Sequence, residues 1–114
     1  MIKHIAGSNP TRSRATVNDG LVYTVAVSPE KHATLYEQTR GALAQLDRNL
    51  NDAGTDKSRI LRATIYITDM SKKEEMNRAW DEWVLVSAPP QRACLGVALE
   101  GRDLIEILVI AALP

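Results

Sequence analysis

The sequence predicts an α+β fold, a mixed six-stranded sheet carrying two helices on one face. Three observations predict it. Asp19-Gly20 separates two β-rich runs, a strong hairpin signal. Two stretches with apolar residues at helical spacing are interleaved with strand-like runs. Two further apolar runs, Arg92 to Leu99 and Leu104 to Ala112, follow the second of these stretches. The order is β-β-β-α-β-α-β-β, so part of the sheet is expected to be parallel or crossed over.

Ile2 to Ala6 reads as a short edge strand, and Gly7-Ser8-Asn9-Pro10-Thr11 as a loop. Arg14 to Asn18 and Leu21 to Val27 form the hairpin. The second of them is almost wholly apolar and belongs in the middle of the sheet. The first helix spans Ala33 to Ala53, with Leu35, Thr39, Ala42, Leu43, Leu46 and Leu50 in one stripe. Gly54 is placed to end it. Ile60 to Ile67 is rich in β-branched residues and reads as a strand. The second helix starts after Asp69-Met70, with Ser71 as N-cap and Glu74 completing a capping box. Its buried face is Met76, Ala79, Trp80, Trp83 and Val84, and Pro89-Pro90 stops it. Trp80 and Trp83 are read as packing residues. Leu21 to Val27 and Ile105 to Ile110 are apolar on both sides, while the helices can cover only one. Further copies of the chain are expected on the other.

Composition narrows the function. The 114 residues suit one domain, 1–114, with one core. Hydrophobic residues make up 45% and charged residues 25%, ordinary for a globular protein. The 14 basic and 14 acidic side chains cancel, which gives no general attraction to nucleic acid or anionic lipid. No apolar run is long enough to span a bilayer, and a membrane role is not expected. Met1 to Ala6 lacks a signal-peptide core, and one cysteine excludes an internal disulfide, so the reading is cytoplasmic. His4, His32 and Cys94 are too scattered for a metal site, and no phosphate-binding glycine loop is present.

Two charges stand out. Arg92 and Glu106 each sit alone near the start of an apolar strand. A charge in such a place must pair, bind a ligand or reach water. They are the leading candidates for a small-molecule site, with a mutual ion pair as the alternative. Cys94 reads as a small buried hydrophobe. Arg12 and Arg14 read as solvated loop charges, one of which could reach a cleft.

Four segments carry a family resemblance. They are Ala63-Thr64-Ile65-Tyr66-Ile67-Thr68-Asp69-Met70, Met76 to Trp83, Pro89-Pro90-Gln91-Arg92-Ala93-Cys94, and Ile105-Glu106-Ile107. In these the chain resembles the Rid (YjgF) family of reactive-intermediate deaminases, from about Arg12 to Ala112. The resemblance implies a chorismate-mutase-like fold and a homotrimer with three clefts between subunits. It implies that Arg92 binds a substrate carboxylate and that the Cys94 backbone helps hold the substrate. Asn77 matches a position near the ligand, and Glu106 is placed to align or activate a water. The implied reaction is hydrolysis of 2-imino or enamine acids to 2-keto acids and ammonia, without metal or organic cofactor.

The chain departs from active members at two places. They usually carry a tyrosine in the loop before the second strand, where this chain reads Thr11-Arg12-Ser13-Arg14-Ala15. They also carry a serine-glycine pair at the end of the third strand, where this chain reads Thr24-Val25-Ala26-Val27. These departures suit a divergent branch and leave a rival open, a non-catalytic module that binds a small carboxylate such as a keto acid. Endoribonuclease activity is a third reading, against which the neutral charge and few aromatics count.

Overall fold

The Asp-Gly corner forms as the sequence predicts. Asp19 (φ 49°) and Gly20 (φ 77°) both take positive φ, as a tight I′-type hairpin requires. The computed structural model describes residues 1–114. In it the corner joins β2 (Ser13–Asn18) to β3 (Leu21–Ala26), with Asn18 opposite Leu21 and Ala15 opposite Thr24. β1 (Lys3–Ala6) pairs with the outer side of β2.

Helix α1 (Leu35–Ala53) starts two residues later than its periodicity suggests. Thr34 is the cap, its Oγ1 accepting the Glu37 N–H at 3.2 Å. Gly54 ends the helix at φ 93°, and the Thr55 N–H reaches the Leu50 carbonyl at 3.0 Å. β4 (Ile60–Ile67), α2 (Lys73–Trp83), β5 (Gln91–Gly96) and β6 (Ile105–Ala112) complete the chain.

The strand order is β1-β2-β3-β6-β4-β5. Only β4 and β5 run parallel, linked through α2; every other pair is antiparallel. α1 crosses β2, β3 and β6, and α2 packs beside it. The core fills the space between helices and sheet, with Val22, Leu43, Leu46, Ile65, Met76 and Ile107 at its centre. Strand alternation sorts β6 cleanly. Ile105, Ile107, Val109 and Ala111 are buried under the helices, while Glu106, Leu108, Ile110 and Ala112 take the other side. On that helix-free side Tyr23, Val25, Leu95 and Leu108 are exposed. No helix is long and apolar enough to cross a membrane.

Local details correct the sequence reading. Ser71 is not an N-cap. Its N–H and hydroxyl both donate to Asp69 Oδ1, at 3.0 and 2.6 Å, which caps a single 3₁₀ turn, Met70–Lys72. An aspartate accepts both donors at once and outcompetes serine as the local acceptor. α2 then begins at Lys73 with no side-chain cap. Glu74 accepts from Asn77 instead of closing a capping box. β5 ends at Gly96 rather than Leu99, because its partner β4 ends at Ile67 and the Val97 N–H to Ile67 carbonyl bond is the last rung.

Candidate functional site

The parallel register decides where the β5 side chains go. Ala63 lies opposite Arg92 and Ile65 opposite Cys94. Ala63 and Ile65 are fully buried under the helices, so Arg92 and Cys94 are on the helix side. β5 is the edge strand, which leaves the outer flank of Arg92 open and the residue half-buried.

The guanidinium is held by neutral groups alone. Nη2 donates to Asn77 Oδ1 at 2.9 Å, and Nη1 lies 3.8 Å from Met76 Sδ. Cζ stands 5.5 Å from the centroid of the Trp80 ring, a cation–π contact. No carboxylate pairs with Arg92. A half-buried guanidinium with spare N–H donors and no counter-ion is suited to take a carboxylate through two parallel bonds.

Of the residues singled out in the sequence, the fold brings Arg92 and Asn77 into contact and places Cys94 two residues along the same side. Burial pushes the Cys94 thiol above its ordinary value, against the pull of Lys73 and Arg92. The thiol is therefore protonated near neutral pH and is a poor nucleophile. Glu106 lies elsewhere. It is opposite Tyr66, which is also opposite Leu95, on the helix-free side of the sheet. No hydrogen bond or ion pair engages its carboxylate within the chain, so a structural pair between Arg92 and Glu106 of one copy does not form.

Arg14 is a structural residue. It bonds Asp52 at 2.7 Å, Asn49 at 3.0 Å and the Ala6 carbonyl at 2.8 Å, tying the sheet edge to α1. Arg12 stays exposed in its loop. Trp80 and Trp83 pack with ring centroids 5.3 Å apart, as expected. Trp80 and Met76 have a second use, flooring Arg92. Helical spacing signals it, since Met76 and Asn77 lie four and three residues before Trp80 and so share its face. His32 sits between Glu30 and Glu37, at 3.2 and 3.4 Å, and no cluster of metal-ligating side chains exists. The helix-free side of the sheet also holds a concavity of about 380 Å³, lined by Tyr23, Val25, Thr64, Leu108 and Ile110 among others. It is mainly apolar and does not include Arg92.

Comparison with known proteins bears on the family and the fold. A family model described as Endoribonuclease L-PSP matches residues 5–113. A RutC family protein of Haemophilus ducreyi is 38% identical over 103 residues, covering 89% of this chain and 88% of its own length. The RutC family protein YoaB of Escherichia coli is 35% identical over 101 residues, covering 88% of this chain and 89% of its own. The crystal structure of NMB1025, a YjgF-family protein of Neisseria meningitidis, matches with a TM-score of 0.94 at 35% identity, covering 100% of this chain and 96% of its own. Yeast Mmf1, at 17% identity and a TM-score of 0.92, shares the fold.

Proposed function

Because this chain belongs to the YjgF/RutC (endoribonuclease L-PSP) family, we propose that it hydrolyses 2-imino or enamine acids to 2-keto acids and ammonia in clefts between copies of itself. One observation carries the reading. Arg92 is a half-buried cation whose partners are all neutral and whose outer flank faces the open edge of the sheet. A small carboxylate is the complement it lacks.

In this reading the guanidinium grips the substrate carboxylate and so fixes the adjacent imine carbon. Glu106 aligns a water against that carbon and takes its proton as the C–O bond forms. That proton passes to nitrogen, giving the carbinolamine. Its hydroxyl then gives up its own proton, by way of Glu106, to the amino nitrogen as the C=O bond forms and the C–N bond breaks, and ammonia leaves with the keto acid behind. Imines hydrolyse readily, so a general acid/base contribution of about a hundredfold is a useful one. Arg92 and Glu106 lie on opposite sides of one sheet. A cleft that uses both therefore takes one from each of two neighbouring copies. The exposed Tyr23, Val25 and Leu108 support such an assembly, since apolar patches of this kind favour burial between subunits. A closed ring of three is the arrangement proposed.

A second reading has support of its own. The loop before β2 lacks a tyrosine and the end of β3 lacks a glycine, which favours a keto-acid-binding module without turnover. One assay separates them. 2-Iminopropanoate is generated in situ from alanine, or 2-iminobutanoate from threonine, and loss of the imine is followed with and without the protein. Acceleration that vanishes in Arg92→Ala supports hydrolysis. No acceleration, with keto-acid binding that vanishes in Arg92→Ala, supports the binding module.

A further inference from the structure

Asn77 was singled out in the sequence as a ligand-side residue, but its geometry shows both ends of its amide engaged within the chain. Oδ1 accepts from Arg92 Nη2 at 2.9 Å, and Nδ2 donates to Glu74 Oε1 at 3.0 Å. A guanidinium can only donate, and an ionised carboxylate can only accept. With one such partner at each end, the amide has a single satisfactory orientation. A flipped amide would set N–H against N–H at Arg92 and oxygen against oxygen at Glu74.

The three residues share a face for reasons of spacing. Glu74 and Asn77 are three apart on α2 and Asn77 and Trp80 three more, so they rise one above another. Arg92 reaches them from β5 across the edge of the sheet.

We propose that Glu74 and Asn77 are positioning residues for Arg92, forming a relay that orients its guanidinium and keeps it free for an anionic ligand. The inference rests on Arg92 being the carboxylate clamp. The electrostatic logic lies in what separates the two charges. A carboxylate in direct contact with Arg92 would satisfy it and compete with the ligand's own carboxylate. Interposing a neutral amide gives the guanidinium an acceptor without cancelling its charge. Glu74 is exposed, so its part is to hold the amide rather than to neutralise Arg92. Trp80 fixes the plane from below, 5.5 Å from Cζ.

The test measures pyruvate binding by calorimetry, alongside the thermal midpoint of each variant. Asn77→Asp puts a charged acceptor against Arg92. It is expected to weaken pyruvate binding about tenfold or more while leaving the midpoint unchanged or higher, a separation that a merely structural role would not produce. Glu74→Ala frees the amide to flip and is expected to weaken binding severalfold. Glu74→Gln can still accept from Nδ2 and is expected to stay within about twofold of the unsubstituted protein. Arg92→Ala marks the boundary between the two claims. If Arg92→Ala abolishes binding while Asn77→Asp and Glu74→Ala bind like the unsubstituted protein, the relay is wrong and the clamp stands. If Arg92→Ala binds pyruvate normally, or the unsubstituted protein does not bind it, the clamp fails and the relay with it.

Discussion

Arg92→Lys separates charge from shape at the centre of the proposed site. The ammonium keeps the positive charge but loses the planar fork, the bond geometry to Asn77 and the stacking over Trp80. Keto-acid affinity is expected to fall by about 2 kcal/mol or more, roughly thirtyfold, with the truncation to Ala at least as damaging. Titration calorimetry against pyruvate reads it directly. Cys94 calls for the opposite expectation. Burial holds its thiol protonated, and the proposed reaction gives the sulfur no part. Cys94→Ala is expected to keep imine hydrolysis within a few-fold, and the native thiol to react more slowly with iodoacetamide at pH 8 than a small free thiol does. A Cys94→Ala variant with no activity would require a chemical role for the sulfur.

The helices and turns make their own predictions. Gly41 sits inside α1, where alanine would ordinarily raise helix propensity by about 1 kcal/mol. Here a Cβ would overlap Ser28 Oγ, a buried hydroxyl that donates to the Glu30 carbonyl at 2.6 Å. Gly41→Ala is therefore expected to destabilise, by about 1–3 kcal/mol in chemical denaturation; a stabilised variant would mean that the loop yields freely. The turn caps bear on acid stability. Bonds from Ser58 and Ser71 hold the Asp56 and Asp69 carboxyls below the usual carboxylate range. A depressed folded pKa contributes stability above the unfolded pKa and loses it as pH falls through the folded one. The midpoint is thus expected to drop as pH falls below about 4, and less steeply in the Asp56→Asn, Asp69→Asn double variant. The Asp69 cap also shows the limits of local reading. Asp69-Met70-Ser71 contains two good acceptors, and only the bond pattern reveals that Asp69 takes the Ser71 donors. The Asp19-Gly20 hairpin and the Leu43, Leu46, Leu50 stripe were legible because turn chemistry and helical period act over a few residues.

At the level of the molecule, the exposed face is the testable feature. Leu108 is exposed among Tyr23, Val25 and Thr64 on the helix-free side. Leu108→Glu is expected to shift the protein toward monomers in sedimentation velocity while leaving its far-ultraviolet spectrum intact, and to abolish imine hydrolysis with it. An unsubstituted chain that sediments as a monomer would remove the proposed clefts. The apolar surplus of this face was readable from the strands, since both sides of Leu21 to Val27 and Ile105 to Ile110 are hydrophobic. Which side Arg92 and Glu106 would take was not. That depends on register against β4, a long-range pairing in which a one-residue slip exchanges the two sides. The pair of lone charges was visible in the chain, but their placement on opposite sides was not.

The β4-α2-β5 crossover has a consequence for how such proteins could be recombined. Met76, Asn77, Trp80, Arg92 and Cys94 all come from one unbroken stretch of chain, bounded by the Asp69 turn and the end of β5. The anion-gripping half of the proposed cleft is thus a cassette. Exchanging that stretch for the matching one of a relative would transplant the grip and its floor together. Glu106 would stay with the recipient scaffold, so each chimera would pair one parent's handhold with the other's water.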